Sequence, residues 1–158
     1  MKNRSIGSVI RVFKHISNGR LSYCYGFRRN KMSDEKYKRG LELLEEISPG
    51  AAKRTAESLN DIAPDMVRYM MEFVFGEISS RPGLDMKSRE ITAVAALAAL
   101  GTAPNQLKIH IKGALNCGCS SDEVVEVLIQ VLVYAGFPAT LNGLRLAKEA
   151  FQEMDGKS

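Results

Sequence analysis

The first 31 residues contain no aspartate or glutamate, and nowhere does the chain carry an apolar run of membrane-spanning length. The longest nearly continuous one, Ile91 to Leu100, is about half of the ~20 residues a span needs. No apolar stretch follows the N-terminus as it does in a secretory signal, so a cytoplasmic protein without a membrane association is expected. Cysteine is scarce: Cys24, Cys117 and Cys119 make no paired framework and no Cys-x-x-Cys, which fits a reducing compartment and leaves no four-ligand metal set. No stretch alternates with period two, so no sheet is expected. Neither an arginine-rich helix nor an aromatic and basic strand pattern is present, which argues against nucleic acid as a partner.

What the chain does have is an uneven charge. Its net charge is +4, yet Lys2, Arg4, Arg11, Lys14, Arg20, Arg28, Arg29 and Lys31 alone supply eight positive charges. Taking those eight from +4 leaves the remainder at −4, so the basic character belongs to an N-terminal extension and the rest is mildly acidic. Val9, Val12, Phe13 and Ile16 at near-helical spacing give that extension the look of a transit peptide. The plainer readings, an unstructured basic arm or a segment upstream of a start at Met32, are preferred. With 158 residues, 45% of them hydrophobic, the chain has room for one core, placed in a domain over residues 32–158.

From Ser33 onward the pattern is helical, giving an all-α domain. Leu41, Leu44 and Ile47 mark one face of a first helix that ends at Ser48-Pro49-Gly50. A short helix over Ala51 to Leu59 follows. Met66, Tyr69, Met70, Phe73 and Val74 are expected to line the buried face of a third, which stops at Arg81-Pro82-Gly83. Asp85 caps a fourth, Met86 to Leu100, apolar all round after its first turn and therefore expected to be the buried central helix. A fifth runs from Pro104 to Asn116, with Gly118 as a left-handed cap. Ser120 to Glu123 reads as a capping box ahead of Val124, Val127, Leu128 and Val131, and a last helix spans Pro138 to Met154.

His110 lies three residues after Leu107 and four before Ala114, on or beside the apolar stripe of the fifth helix. A half-buried imidazole there is either a core histidine tied to a backbone carbonyl or a general acid or base, and periodicity alone does not choose. Arg81, Arg89, Glu90 and Glu77 gather around the entrance to the fourth helix. Such a cluster is an exposed ion-pair group in its plain reading and a carboxylate-binding arginine site in its functional one. Cys117 and Cys119 are read as structural, with a redox role as the minority view.

Phe75-Gly-Glu-Ile-Ser-Ser-Arg-Pro-Gly-Leu84, Ser88-Arg89, Leu107-Lys-Ile-His110-Ile-Lys-Gly-Ala-Leu115, Asp122-Glu-Val-Val-Glu126 and Tyr134-Ala-Gly-Phe-Pro-Ala139, in that order, resemble the carboxymuconolactone decarboxylase family. The resemblance covers about Tyr37 to Phe151, and Arg-Pro-Gly-Leu is similar to the decarboxylase branch. It implies an all-helical subunit of six or seven helices that assembles into a ring, a hexamer or a trimer, with the site near subunit contacts and no cofactor. It also implies a small carboxylated substrate, with His110 as acid, Arg81 and Arg89 holding carboxylates and Glu77 orienting one of them. Two departures stand out. Ala103 and Gln106 occupy the positions of the Cys-x-x-Cys of the alkylhydroperoxidase D branch, and Gln106 stands where the decarboxylase branch commonly has glutamate. A thiol-dependent peroxidase or disulfide reductase, and a non-catalytic oligomeric relative, are the alternatives.

Overall fold

The structure is a computed structural model, in which residues 11–17, 20–26 and 31–156 are described, with side chains from Asp34 on. Residues up to Glu35 and those from Lys36 form two compact units.

The N-terminal unit holds a hairpin that the sequence reading did not foresee. Strands β1 (Arg11–Ser17) and β2 (Arg20–Gly26) pair antiparallel, from Arg11 opposite Gly26 to Ser17 opposite Arg20. Val12, Phe13 and Ile16 satisfy a helical spacing over a run too short to tell helix from strand. The signal passed over is the dipeptide between the paired Ser17 and Arg20, Asn-Gly, the strongest short-range hairpin cue. Residues 1–10, including Val9, lie outside the described residues, as do the side chains of Cys24 and His15.

Among the described residues from Lys36 on there is no strand. The helices are α1 (Lys31–Ile47), α2 (Ala51–Leu59), α3 (Met66–Tyr69) running straight into a π-helical stretch (Met70–Ser79), α4 (Met86–Leu100), α5 (Pro104–Asn116) and α6 (Ser121–Met154). Gly136 (φ 79°, ψ 174°) breaks α6 into two rods, with Pro138 in the first turn of the second, as the sequence suggested. One core lies between α4, α5 and α6, where Val94, Ile111, Val124 and Leu128 are fully buried. Each contributes about 1.5–3 kcal/mol. A second core, of Leu44, Ile47, Ala52, Met71 and Phe75, joins α1, α2 and the π-helical stretch.

Two expectations about faces need correction. Met71, Phe75 and Gly76 are buried in the third helical segment, whereas Tyr69 and Phe73 are each 61% exposed. The expected stripe assumed 3.6 residues per turn; hydrogen bonds from i to i+5 wind more slowly and rotate other positions inward. Helix α4 buries only Glu90, Val94 and Ala98. Its Ala95, Ala96 and Ala99 instead face an open apolar cleft of about 510 Å³ shared with Val127, Val131 and Tyr134 of α6. Helix α6 is long and apolar enough by length and composition to cross a bilayer. Val124, Leu128, Val131, Ala147 and Ala150 of that helix are core residues.

The helix ends follow their sequence signals. Asp85 accepts from the Ser88 amide at 2.7 Å, and Ser120 and Glu123 exchange both bonds of a capping box. At the end of α5, Gly118 (φ 89°) bonds to the Leu115 carbonyl and Cys119 to that of Ala114, a Schellman motif. Asp85 is held below its ordinary 3.8 chiefly by the Ser88 amide, and Glu123 below 4.5 chiefly by Lys87. Depressed carboxylates add stability that is complete above those ordinary values and is lost as pH falls through the lower folded ones. The urea midpoint should therefore decline on acidification through that window. Asp85→Asn, which keeps the cap without the charge, should shallow the decline, and an unchanged slope would exclude Asp85 as a contributor.

Candidate active site

Glu90, Val94 and Ala98 recur at i, i+4 and i+8, so a carboxylate heads the buried stripe of α4. Glu90 is 4% exposed. A buried carboxylate needs a partner, and α5 supplies one: His110 Nδ1 lies 2.8 Å from Glu90 Oε2. Room for the carboxylate comes from Gly113, one turn beyond His110. A Cβ built there would sit 2.6 Å from Glu90 Oε2 and 3.1 Å from Ile47 Cγ2. Asn116 then ties α5 to α1 by donating to the Ile47 carbonyl at 2.8 Å. The pair thus sits where the two cores adjoin.

With Glu90 ionised, Nδ1–H is the donor of this bond and Nε2 is the nitrogen left to exchange a proton. The His110 side chain keeps about a third of its surface (32%), and Nε2 has no hydrogen-bond partner among the described residues. It is therefore not a core histidine tied to backbone carbonyls.

The other expected site residues are placed differently. Arg89 aims its guanidinium at the turn before α4, donating from one terminal nitrogen to the Arg81 carbonyl at 2.7 Å and from Nε to the Leu84 carbonyl at 3.2 Å. Arg81 is exposed on that turn. Glu77 pairs with Lys36 at 2.6 Å, and this hydrogen bond holds its carboxyl below the usual range. No hydrogen bond or ion pair among the described residues joins Glu77, Arg81 or Arg89 to His110. Sequence reasoning set Glu90 in a mixed-charge cluster with the arginines; its signal was register, four residues before Val94 on an apolar helix. Gln106 is exposed in the first turn of α5, and Ala103 is the N-cap.

Cys117 and Cys119 are free thiols. Burial, then the Glu90 carboxylate, pushes Cys117 up to about 11, and burial likewise raises Cys119. Neither presents the low-pKa thiolate that peroxide chemistry needs.

The sequence profile of the carboxymuconolactone decarboxylase family matches residues 64–149, more than half of the chain and the whole of the Glu90–His110 pair. The chain belongs to this family. Among its relatives is a 4-carboxymuconolactone decarboxylase of Acinetobacter baylyi, 35% identical over 125 residues, 78% of this chain and 92% of that protein. An uncharacterised protein of Paracoccus denitrificans is 26% identical over 79% of this chain and 94% of its own length. A nitrosuccinic acid decarboxylase of Metarhizium robertsii is 29% identical over 54% of this chain and 59% of its own. The family match leaves α1 and α2 outside it, so the Lys36 and Arg39 contacts to the π-helical stretch lie partly beyond the shared region.

Proposed function

We propose that the chain is a carboxy-lyase acting on a small carboxylated γ-lactone such as 4-carboxymuconolactone, with His110 as the proton donor. The observation that carries this reading is the buried Glu90 carboxylate on His110 Nδ1, which orients the ring and leaves Nε2 to the substrate. In such a lactone the bond from the γ carbon to its carboxylate breaks and CO₂ leaves. The electron pair moves into a new β,γ double bond, and the former α,β double bond shifts onto the lactone carbonyl as a dienolate. Protonation at the α carbon by Nε2–H of the doubly protonated ring then restores the carbonyl, and solvent returns the proton to Nε2 before the next turnover. The substrate is its own electron sink, so the protein's work is orientation, stabilisation of the oxyanion and proton delivery.

Arg81, exposed on the turn that Arg89 braces, is the candidate to hold a substrate carboxylate. The orienting role that the resemblance gave to Glu77 falls to Glu90. The open apolar cleft between α4 and α6 supports association with further copies of the chain, since monomers rarely leave apolar patches of that kind uncovered. No observation favours the thiol-dependent alternative.

The test is a panel of γ-lactone acids read by loss of the conjugated ultraviolet band, beside a peroxide-consumption assay on the same preparation. Wild-type and Cys117→Ser protein should turn over a lactone acid equally and consume no peroxide. Peroxide turnover that Cys117→Ser abolishes, with every lactone inert, would overturn the reading.

A further inference from the structure

A second, chemically distinct cavity of about 310 Å³ opens between the end of α4, the start of α5 and the second rod of α6. Leu97, Leu107 and Leu146 form its apolar walls, Ala98 and Gly143 help close it, and its polar corner is made by Asn142 and Arg145. Its size lies at the small end of ordinary ligand pockets, roughly 300–1,000 Å³.

The corner has one sign. Arg145 donates from one terminal nitrogen to Asn142 Oδ1 at 3.2 Å, and because a guanidinium only donates, the amide oxygen must face it. What remains pointing elsewhere is the rest of the guanidinium and the Asn142 amide nitrogen, which are donors alone. Arg145 makes no ion pair among the described residues; Glu149, one turn further on, is engaged by Lys108 at 3.1 Å. An apolar slot with an exposed guanidinium at its mouth that makes no ion pair among the described residues calls for a ligand with a flat or compact hydrocarbon body and one carboxylate.

The register of the helices separates this cavity from the Glu90–His110 pair. Lys108 pairs with both Glu149 and Glu153 and Lys112 with Glu153, so α5 and the second rod of α6 run side by side in the same direction. Pro104 and Arg145 line the same cavity, and His110 is ~9 Å beyond Pro104 along the axis of α5. Leu107 is the one wall residue that lies on the same stripe as His110.

We infer that this cavity is a binding site for a small aromatic or alicyclic monocarboxylate, with Arg145 as its counter-ion, separate from the His110 centre. The probe is benzoate, titrated into the full chain with leucine methyl resonances observed, and benzyl alcohol is its neutral analogue. Saturable shifts should centre on Leu97, Leu107 and Leu146, with benzyl alcohol binding about tenfold more weakly. Arg145→Gln should bring the two ligands level while leaving lactone turnover unchanged, and Ala139→Leu, at another residue lining the cavity, should fill the slot and weaken both. The inference is overturned if the shifts fall elsewhere or fail to saturate, or if benzyl alcohol matches benzoate on the wild-type chain. It is also overturned if Arg145→Gln lowers turnover as a His110 substitution does, since the cavity would then belong to the substrate site.

Discussion

Replacing His110 with glutamine should lower lactone turnover by about 10²–10⁴-fold, the range lost when a positioned general acid is removed. The fold should survive. Glutamine keeps an amide able to meet Glu90, so the carboxylate retains a partner in its recess over Gly113. Far-ultraviolet circular dichroism and the urea midpoint report on the fold independently of the assay. Glu90→Gln is the companion variant: a neutral amide at 2.8 Å from Nδ1 can donate as well as accept, so it no longer dictates which ring nitrogen carries the proton. The two residues act as a unit, and the double variant should be hardly slower than the worse single one. Turnover within a few-fold of wild type for His110→Gln would remove His110 from the chemistry. Additive losses in the double variant would show that Glu90 acts through something other than the ring.

The largest effect on stability is expected from the smallest possible insertion, Gly40→Ala. In an isolated helix this change would favour α1 by about 1 kcal/mol. Here a Cβ at position 40 would lie 2.0 Å from the Met71 carbonyl oxygen and 2.9 Å from the Gly76 nitrogen, both backbone atoms that no rotamer change can move aside. Helix α1 would have to retreat from the π-helical stretch. Retreat would strain the two bonds from Arg39 to the Gly76 carbonyl, at 3.0 and 2.5 Å, and the Lys36–Glu77 pair. Overpacking of this kind costs about 3 kcal/mol, which outweighs the helix preference and should appear as a lower urea midpoint at unchanged slope. A neutral or stabilised Gly40→Ala would mean that the two segments do not approach this closely.

Much of the domain is legible in the chain because its punctuation is local. Asp85, the Ser120–Glu123 box, Gly118 and Pro138 each act within a turn of themselves, and each does in the structure what its residue type suggests. What escapes is whatever depends on a partner segment. The π-helical winding at Met70–Ser79 accompanies a close approach to α1, which no periodicity in the stretch itself reveals. The hairpin at β1 and β2 was hidden because three apolar residues at mixed spacing suit either helix or strand. In the site, His110 was found from its stripe and its motif. Glu90 was not, because a charged residue near the start of a helix ordinarily faces water, and only the missing side chain of Gly113 on another helix makes room for it.

The shared proton of the Glu90–His110 bond has a use beyond chemistry. It spans two helices, and the chain has just two histidines, so a downfield imidazole N–H resonance is assigned by a single His15 substitution. Its exchange with solvent measures how often α4 and α5 part. That gives a clock for local opening beside the junction of the two cores, readable in the folded protein without denaturant.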